Sequence, residues 1–440
     1  MLPVTAHATW SNWGRTAHAT PTRLIAPHSA DELAADVAAA AGRGEKVKPV
    51  GAGHSFTEIA VAPQIQISMA GLGGLRDVDT ARKRVTLGAG THLHQIPALL
   101  EPHGLAMANL GDIDRQTISG ATSTGTHGTG LRFGGISTQI VGARLVDGHG
   151  ALHEIGEDHP DLPAVALGLG ALGVLTDLTV QCVDAFALRA HEAPGTADET
   201  IDGFLDRVAE HDHYEFYWFP HTSRTLTKTN TRLPADTPAE GPGSVRRYID
   251  DELLSNGVYG AMVALAARVP RVAPGFNQIA GRVLSERTYT DRSDRVFVSS
   301  RSVRFREMEY AIGLDAVPEA LRELRAMINR RRYRVSFPVE VRAAAADDLF
   351  LSTASGRTSG YIAVHRYYRD DPASAAQYFR DAEEIFLAHG GRPHWGKMHT
   401  RDADYLRGVY PRFDDFLAVR DRYDPDRTFA NPYLRHVLGA

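Results

Sequence analysis

Two spacings of apolar residues organise this chain. From Ser29 the run SADELAADVAAAAGRG opens on a capping box, Ser29 with Glu32, continues as an Ala/Val-rich stretch and stops at Gly42 and Gly44, which predicts a helix. Lys46 to Val50 predicts a short strand running into the loop Gly51 to Phe56. A second strand, Arg84 to Leu87, ends at Gly88 and Gly90, and a helix is expected from there to Gly104. Asp112 to Gly135 is dense in Gly, Thr and Ser and sustains neither period, which predicts an ordered loop against a ligand, because Gln139 to Val146 alternates after it.

Beyond Asp184 the texture changes, and the domain boundary is placed near residue 183. Val335 to Arg342 alternates strictly, so Ser336, Pro338, Glu340 and Arg342 share one strand face while Val335, Phe337, Val339 and Val341 face a core. Tyr361 to Tyr368 sets Ala363, His365 and Tyr367 opposite Ile362 and Val364. Tyr214 to Phe219 is a third, aromatic strand, and helices are expected near Val317 to Arg330 and Pro372 to His389. The expected class is α+β, with an antiparallel sheet and its helices segregated on one side.

Composition narrows the function. The chain has 440 residues and a net charge of -5, a balance without the positive field that nucleic acid or an anionic membrane requires. The expected partner is a small molecule. Cys182 is the only cysteine, so disulfide frameworks are excluded and a reducing, cytoplasmic setting fits. Met1 to Arg15 shows no signal-peptide pattern, and the longest apolar run, Val258 to Val269, is too short to span a bilayer.

Several motifs carry candidate chemistry. Gly168 to Gly173 spells GxGxxG, but a strand pattern follows it rather than a helix, which argues against a Rossmann site. Gly51-Ala-Gly-His-Ser55 follows a strand and lets backbone N–H groups approach a pyrophosphate. Taken alone it is an ordinary strand-to-loop turn; Thr124 to Gly130, rich in small and hydroxyl residues, adds weight to the cofactor reading. Glu340 and Arg342 are by default a solvated charged face, and His365 a satisfied structural histidine, unless that face covers a site. His92 with His94 and His211 with His213 are too sparse for a zinc site, and no metal is expected. Arg330 to Arg332 sits at a helix end, where cations complement the dipole.

Together Val50 to Phe56, Thr124 to Gly130, Leu169 to Gly173, Glu340-Val-Arg342 and Pro393-His-Trp-Gly-Lys397 resemble the aldonolactone oxidoreductases of the vanillyl-alcohol-oxidase flavoprotein superfamily, a likeness that runs from Trp10 to Pro432. The resemblance implies a two-subdomain FAD-binding domain at 1–183, a cap domain at 184–410, and a C-terminal segment, 411–440, returning to the first. It implies that Val50, Gly51, Ala52, Gly53, His54 and Ser55 hold FAD, His54 being the residue for covalent attachment. Gly111, Asp112, Thr117, Gly120, Thr124, Gly125, Thr126, His127 and Val174 match further cofactor positions. Glu340, Arg342, His365 and Lys397 match the catalytic set: Arg342 as a fixed cation near the flavin, Glu340 to orient it, His365 as the base, Lys397 on substrate oxygen or the flavin edge. Asp112, Glu340, Arg342, Tyr367 and Lys397 are the expected substrate contacts. The implied reaction is FAD-dependent oxidation of a sugar 1,4-lactone with O2 or another acceptor. Asp112 stands where alditol oxidases have a serine, which favours a lactone over the alternative polyol substrate; a sugar-binding protein without turnover has no need of the catalytic set.

Overall fold

A computed structural model of the chain describes residues 9–241, 259–299 and 303–440. Met1 to Ala8 of the N-terminal stretch, and Val258 at the head of the apolar run, lie outside them. Three short strands, Arg23–Ile25, Ile65–Ser68 and Val47–Val50, pair in parallel in that spatial order. Helix Ala30–Ala41 buries Leu33, Val37 and Ala40, one helical stripe. Its cap differs from the expected box by one residue: Ser29 Oγ accepts from Glu32 N, whereas the Glu32 carboxylate reaches back to His28 N at 2.7 Å.

A second, antiparallel sheet is built around the long strand Val174–Asp184, which pairs with Ile140–Val146, Arg84–Gly88 and Leu105–Met107. The helix expected up to Gly104 is fragmented into a single α turn, Ile96–Leu100, between 3-10 turns at Leu93–Gln95 and Glu101–His103. Pro97 and Pro102 withhold the N–H groups a longer helix needs. The loop expected at Asp112 to Gly135 contains a helix, Ile118–Ser123. Its composition hides it, because what holds it is local side-chain bonding: Thr117 Oγ1 accepts from Gly120 N, and the Thr122 and Thr124 hydroxyls donate to carbonyls four residues back.

The third sheet has eight strands, all antiparallel, in the order Arg287–Arg292, Phe186–Thr196, Arg224–Pro234, His213–Trp218, Val339–Ala344, Ser359–Tyr367, Phe305–Gly313 and Arg392–Pro393. One face is apolar. Tyr214, Phe216, Met308, Tyr310, Val339, Val341, Ile362 and Val364 pack there against helices Val317–Arg331 and Pro372–Ala388, as the alternation requires. The predicted strand from Val335 begins only at Val339, since Pro338 has no N–H for the ladder and Val335 N donates instead to His221 Nε2. The opposite face of this sheet is ionic, and it turns toward the first two sheets.

The core of those two sheets also takes in Leu349 to Leu351, Trp395 and the C-terminal helices Ala403–Val409, Phe413–Tyr423 and Pro432–Leu438. Asn431 fastens the last helix. Fully buried, it accepts from Leu434 N as the N-cap, and its amide donates to the carbonyls of Glu58, Ile59 and Val61 at 2.9, 3.1 and 3.0 Å. Asn431→Ala removes the cap and strands buried carbonyls beside the glycine loop. We expect it to cost about 2 to 4 kcal/mol in a urea unfolding titration, and Asn431→Asp, which keeps the cap acceptor but faces three carbonyls with a carboxylate, to recover little of it.

Candidate active site

Strand Val47–Val50 delivers the chain into Gly51 to Ser55, and backbone constraint fixes the loop. A Cβ on Gly51 would stand 2.3 Å from Thr117 Oγ1, and Gly53 has φ +68, so both positions require glycine. The loop forms one wall of a cavity of about 790 Å³ that opens to solvent. Gln116, Thr117, Gly120 and Thr124 form another wall, and Leu169, Gly170, Gly173 and Val174 close a third side. Gly170, at φ +59, and Gly173 come from the literal GxGxxG, which runs into strand Val174–Asp184 as expected. At the floor the buried Lys48 Nζ donates to Gly170 O at 2.9 Å; burial, then the Arg420 charge, pushes its ammonium down to about 7. A long groove of small residues, hydroxyls and exposed backbone suits a phosphate-bearing cofactor such as FAD.

His54, Ser55, Gln116 and Thr124 also line a second cavity, of about 700 Å³, so the two adjoin at His54. Its far wall is the ionic face of the eight-stranded sheet. Register places Glu309, Ala363 and Glu340 side by side on three neighbouring strands, and Glu307 directly opposite His365. The alanine keeps that row open between the two glutamates. Asp112, His127, Arg342, His394 and Lys397 complete the lining, with Trp13 stacked beside the His54 ring.

Every charge here has a partner. Arg342 is held by Glu340, by Glu215 Oε2 at 2.8 Å and by Asp112 Oδ1 at 3.4 Å, so three carboxylates raise it well above the usual guanidinium range against the opposing effect of burial. Lys397 contacts Glu307, and His365 Nε2 lies 3.5 Å from the other oxygen of that carboxylate. Burial would raise Glu307, but Lys397 and His365 outweigh it and hold the group down at about 2. Glu309 likewise falls below the usual carboxylate range, because His127 and Lys397 outweigh its burial. His365 Nδ1 faces Pro338 O at 3.1 Å, so that nitrogen carries the hydrogen and Nε2 is left toward Glu307. His54 is pushed down to about 4 by burial and then by the Lys397 charge, which keeps its imidazole neutral.

Among the described residues the group with metal-like spacing is His127, Glu309 and His394, whose ligand atoms lie within 4.8 Å of one another. Gly396 N donates to His394 Nδ1 at 3.0 Å, which puts the proton on Nε2. His127 Nδ1 faces Gly128 O at 2.8 Å and its Nε2 faces Glu309 at 3.3 Å, so both ring nitrogens are engaged. The cluster is a hydrogen-bond network, and the donor set offers a cation too few lone pairs. His92 and His94 are ring neighbours at the loop edge, while His213 Nδ1 is engaged by Thr129 O.

The structure brings Glu340, Arg342, His365 and Lys397 together in the second cavity, with Gly111, Asp112, Thr126 and His127. Gly51, Ala52, Gly53, His54, Ser55, Thr117, Gly120, Thr124 and Val174 line the first. Val50 is buried behind the loop and Gly125, at φ +76, shapes a turn; neither lines either of these two cavities. Tyr367, expected to touch substrate, does not reach the cavity: it packs with Phe305, Phe337 and Val263 where helix Tyr259–Arg268 covers the strand end. Sequence reasoning missed Glu307, Glu309, His394, Gln116 and Lys48. Two glutamates alternating with Met308 and Tyr310 on a strand were the available signal for the first pair.

A profile of the D-arabinono-1,4-lactone oxidase family matches residues 178–437, and one of the FAD binding domain matches 21–156. The L-gulono-1,4-lactone dehydrogenase of Mycobacterium tuberculosis is 43% identical over 98% of this chain and 99% of its own length. The L-gulonolactone oxidase of Bos taurus is 31% identical, over 98% of each chain. Among solved structures, cholesterol oxidase from Brevibacterium sterolicum superposes with a TM-score of 0.81 over 98% of this chain and 97% of its own, at 18% identity, which is a likeness of fold. No described helix is long and apolar enough to cross a membrane.

Five histidines are held neutral chiefly by burial: His54, His213 and His221 at about 4, His394 and His399 at about 3. Each has its folded value below the unfolded one near 6.5, so the unfolded chain binds more protons as the pH falls through that window, and stability is lost there. Asp347, raised to about 6 by burial, acts in the opposite sense, as do Asp36 and Asp424, which burial also raises, but the five histidines outnumber them. The melting temperature of the protein with FAD in excess is expected to fall steadily from about pH 7 to about pH 5. A flat or rising profile contradicts these assignments.

Proposed function

We propose a function on the premise that this chain belongs to the D-arabinono-1,4-lactone oxidase family and is an FAD-dependent aldonolactone oxidoreductase. Its substrate is an uncharged sugar 1,4-lactone of the L-gulono or D-arabinono type. The observation that carries this is the second cavity: Asp112, Glu307, Glu309 and Glu340 line it against only Arg342 and Lys397 as permanent cations, and all are paired. Such a wall offers acceptor oxygens to several hydroxyl groups and repels an anion. A neutral polyhydroxylated lactone fits it; the ring-opened aldonate does not.

We place the FAD-binding domain at 1–183 with 411–440 returning to it, and the cap at 184–410 between them. FAD, when bound, supplies the two-electron acceptor that takes a hydride from a carbinol carbon. The Gly51 to Ser55 loop cradles its pyrophosphate, and neutral His54, between the two cavities, is the attachment point for a covalent link. His365 takes the hydroxyl proton on Nε2: the Pro338 carbonyl fixes its tautomer and Glu307 stabilises the imidazolium that results. Arg342 works less as a free cation than as a rigid donor, since its charge is offset by Glu340, Glu215 and Asp112 while its N–H groups are aimed. Lys397, fixed by Glu307, holds the substrate oxygen. Electrons leave to O2 or another acceptor, and buried Cys182, with no disulfide partner in the sequence, suits a cytoplasmic enzyme.

Anaerobic mixing of the holoenzyme with L-gulono-1,4-lactone, L-gulonate and xylitol tests the reading by the loss of the flavin's visible absorbance. We expect bleaching with the lactone and, for the gulonate, a rate lower by about a hundredfold or more, a difference of about 2.7 kcal/mol or more. Equal rates for lactone and gulonate would remove the electrostatic argument, and bleaching by xylitol alone would change the substrate class. Acid precipitation of the same protein is expected to leave the colour in the pellet, and His54→Ala to release it.

A further inference from the structure

A third cavity, of about 780 Å³, opens between the FAD-binding half and the cap, away from the lactone site. Its interior is apolar: Leu93, Ile96, Leu100, Met107 and Leu110 come from one side and Phe186 from the other. The charges in its lining sit together, Arg292 paired with Glu101 at 2.9 Å and with Asp294 at 3.0 Å. A narrower cavity of about 330 Å³ shares Leu93, Pro97 and Leu110 with it, and shares Gly111 and Ile113 with the catalytic cavity. Shared lining residues thus place the narrow cavity, which His94, Asp114 and Asp294 also line, between the domain cleft and the wall of the site where the lactone is oxidised. The loop beyond Asp294 is tied to that wall directly, Ser299 N donating to Asp112 O at 3.0 Å.

We infer that this cleft binds the electron acceptor, and that the acceptor is an uncharged planar molecule of the quinone class. The inference rests on the lactone-oxidising function proposed above. The lactone cavity is acidic and hydrogen-bonding, so an apolar molecule gains nothing there, whereas the cleft removes it from water without stranding a polar group. The cleft opens to solvent and is far larger than a diatomic gas needs. A nucleotide or other anion meets no unpaired cation in it. The reaction balances: the carbinol becomes a carbonyl and gives up two electrons and two protons, and the quinone takes the same two electrons and two protons to become the hydroquinone.

The test separates this proposal from the lactone reading by reducing the holoenzyme with dithionite rather than with substrate. Mixed anaerobically with 1,4-naphthoquinone, the reduced enzyme is expected to reoxidise with saturating dependence on quinone. Ala106→Trp fills the cleft from strand Leu105–Met107. It is expected to slow that reoxidation about tenfold or more, leaving reoxidation by ferricyanide and the bleaching of the oxidised enzyme by lactone unchanged. Ala235→Trp, at an exposed position of the same lining, serves if the first variant does not fold. Equilibrium dialysis of 1,4-naphthoquinone against the oxidised holoenzyme is expected to show one site, weakened in the same variant. Quinone reoxidation that is linear in concentration, equal in wild type and variant, or slowed together with ferricyanide overturns the proposal.

Discussion

Four carboxylates, Glu215, Glu307, Glu309 and Glu340, are buried on one face of a β-sheet, and the site depends on how their charge is compensated. An isolated carboxylate so placed costs several kcal/mol, and only close cations or hydrogen-bond donors offset it. Arg342 serves Glu340 and Glu215 together, with Lys228 Nζ 3.9 Å from the latter. Lys397 and His365 serve Glu307, and His127 serves Glu309. Each pairing fixes two side chains at once, so the residues that face the substrate are held by the same contacts that make their burial tolerable. Pre-organisation of this kind is what a hydride transfer requires of a protein that leaves the redox chemistry to its cofactor.

The two faces of the sheet divide the work. Met308, Tyr310, Val339, Val341, Ile362 and Val364 bury the apolar face under two helices and fix the strand register, and register then decides which ionic residues become neighbours. A slip of one residue would carry Glu307 and Glu309 into the helix layer. On the other wall, the cofactor loop is held from behind by segments far away in sequence: Phe56 N donates to Gly396 O, and Asn431 holds the turn Glu58–Ala60. His394 to Lys397 thus joins the loop to the ionic face, which explains how the cofactor groove and the substrate cavity meet at His54.

Much of this was legible in the sequence. Alternation in Val339 to Arg342 and Tyr361 to Tyr367 gave the strand faces, and with them the shared side of Glu340, Arg342 and His365. The Gly51 to Ser55 and Thr124 to Gly130 loops were visible because backbone approach demands glycine and small residues. Three things were not legible. Helix Ile118–Ser123 is made by side-chain bonds to its own backbone in a composition that reads as loop. Glu307 and Glu309 alternate with Met308 and Tyr310, which gives their strand face, but the strands that set them beside His365 and Glu340 come from elsewhere in the chain. Tyr367 has the right parity, but parity gives the face and not the height along the strand, and the helix over that end covers it.

One carboxylate, Glu307, aims both Lys397 and His365. The most direct measurement is the rate of anaerobic flavin reduction by L-gulono-1,4-lactone in Glu307→Gln, at matched flavin content. A fall of about a hundredfold or more in the limiting rate is expected, because the amide no longer fixes the lysine or stabilises the imidazolium that forms. A variant that binds FAD and reduces it at the wild-type rate would contradict this.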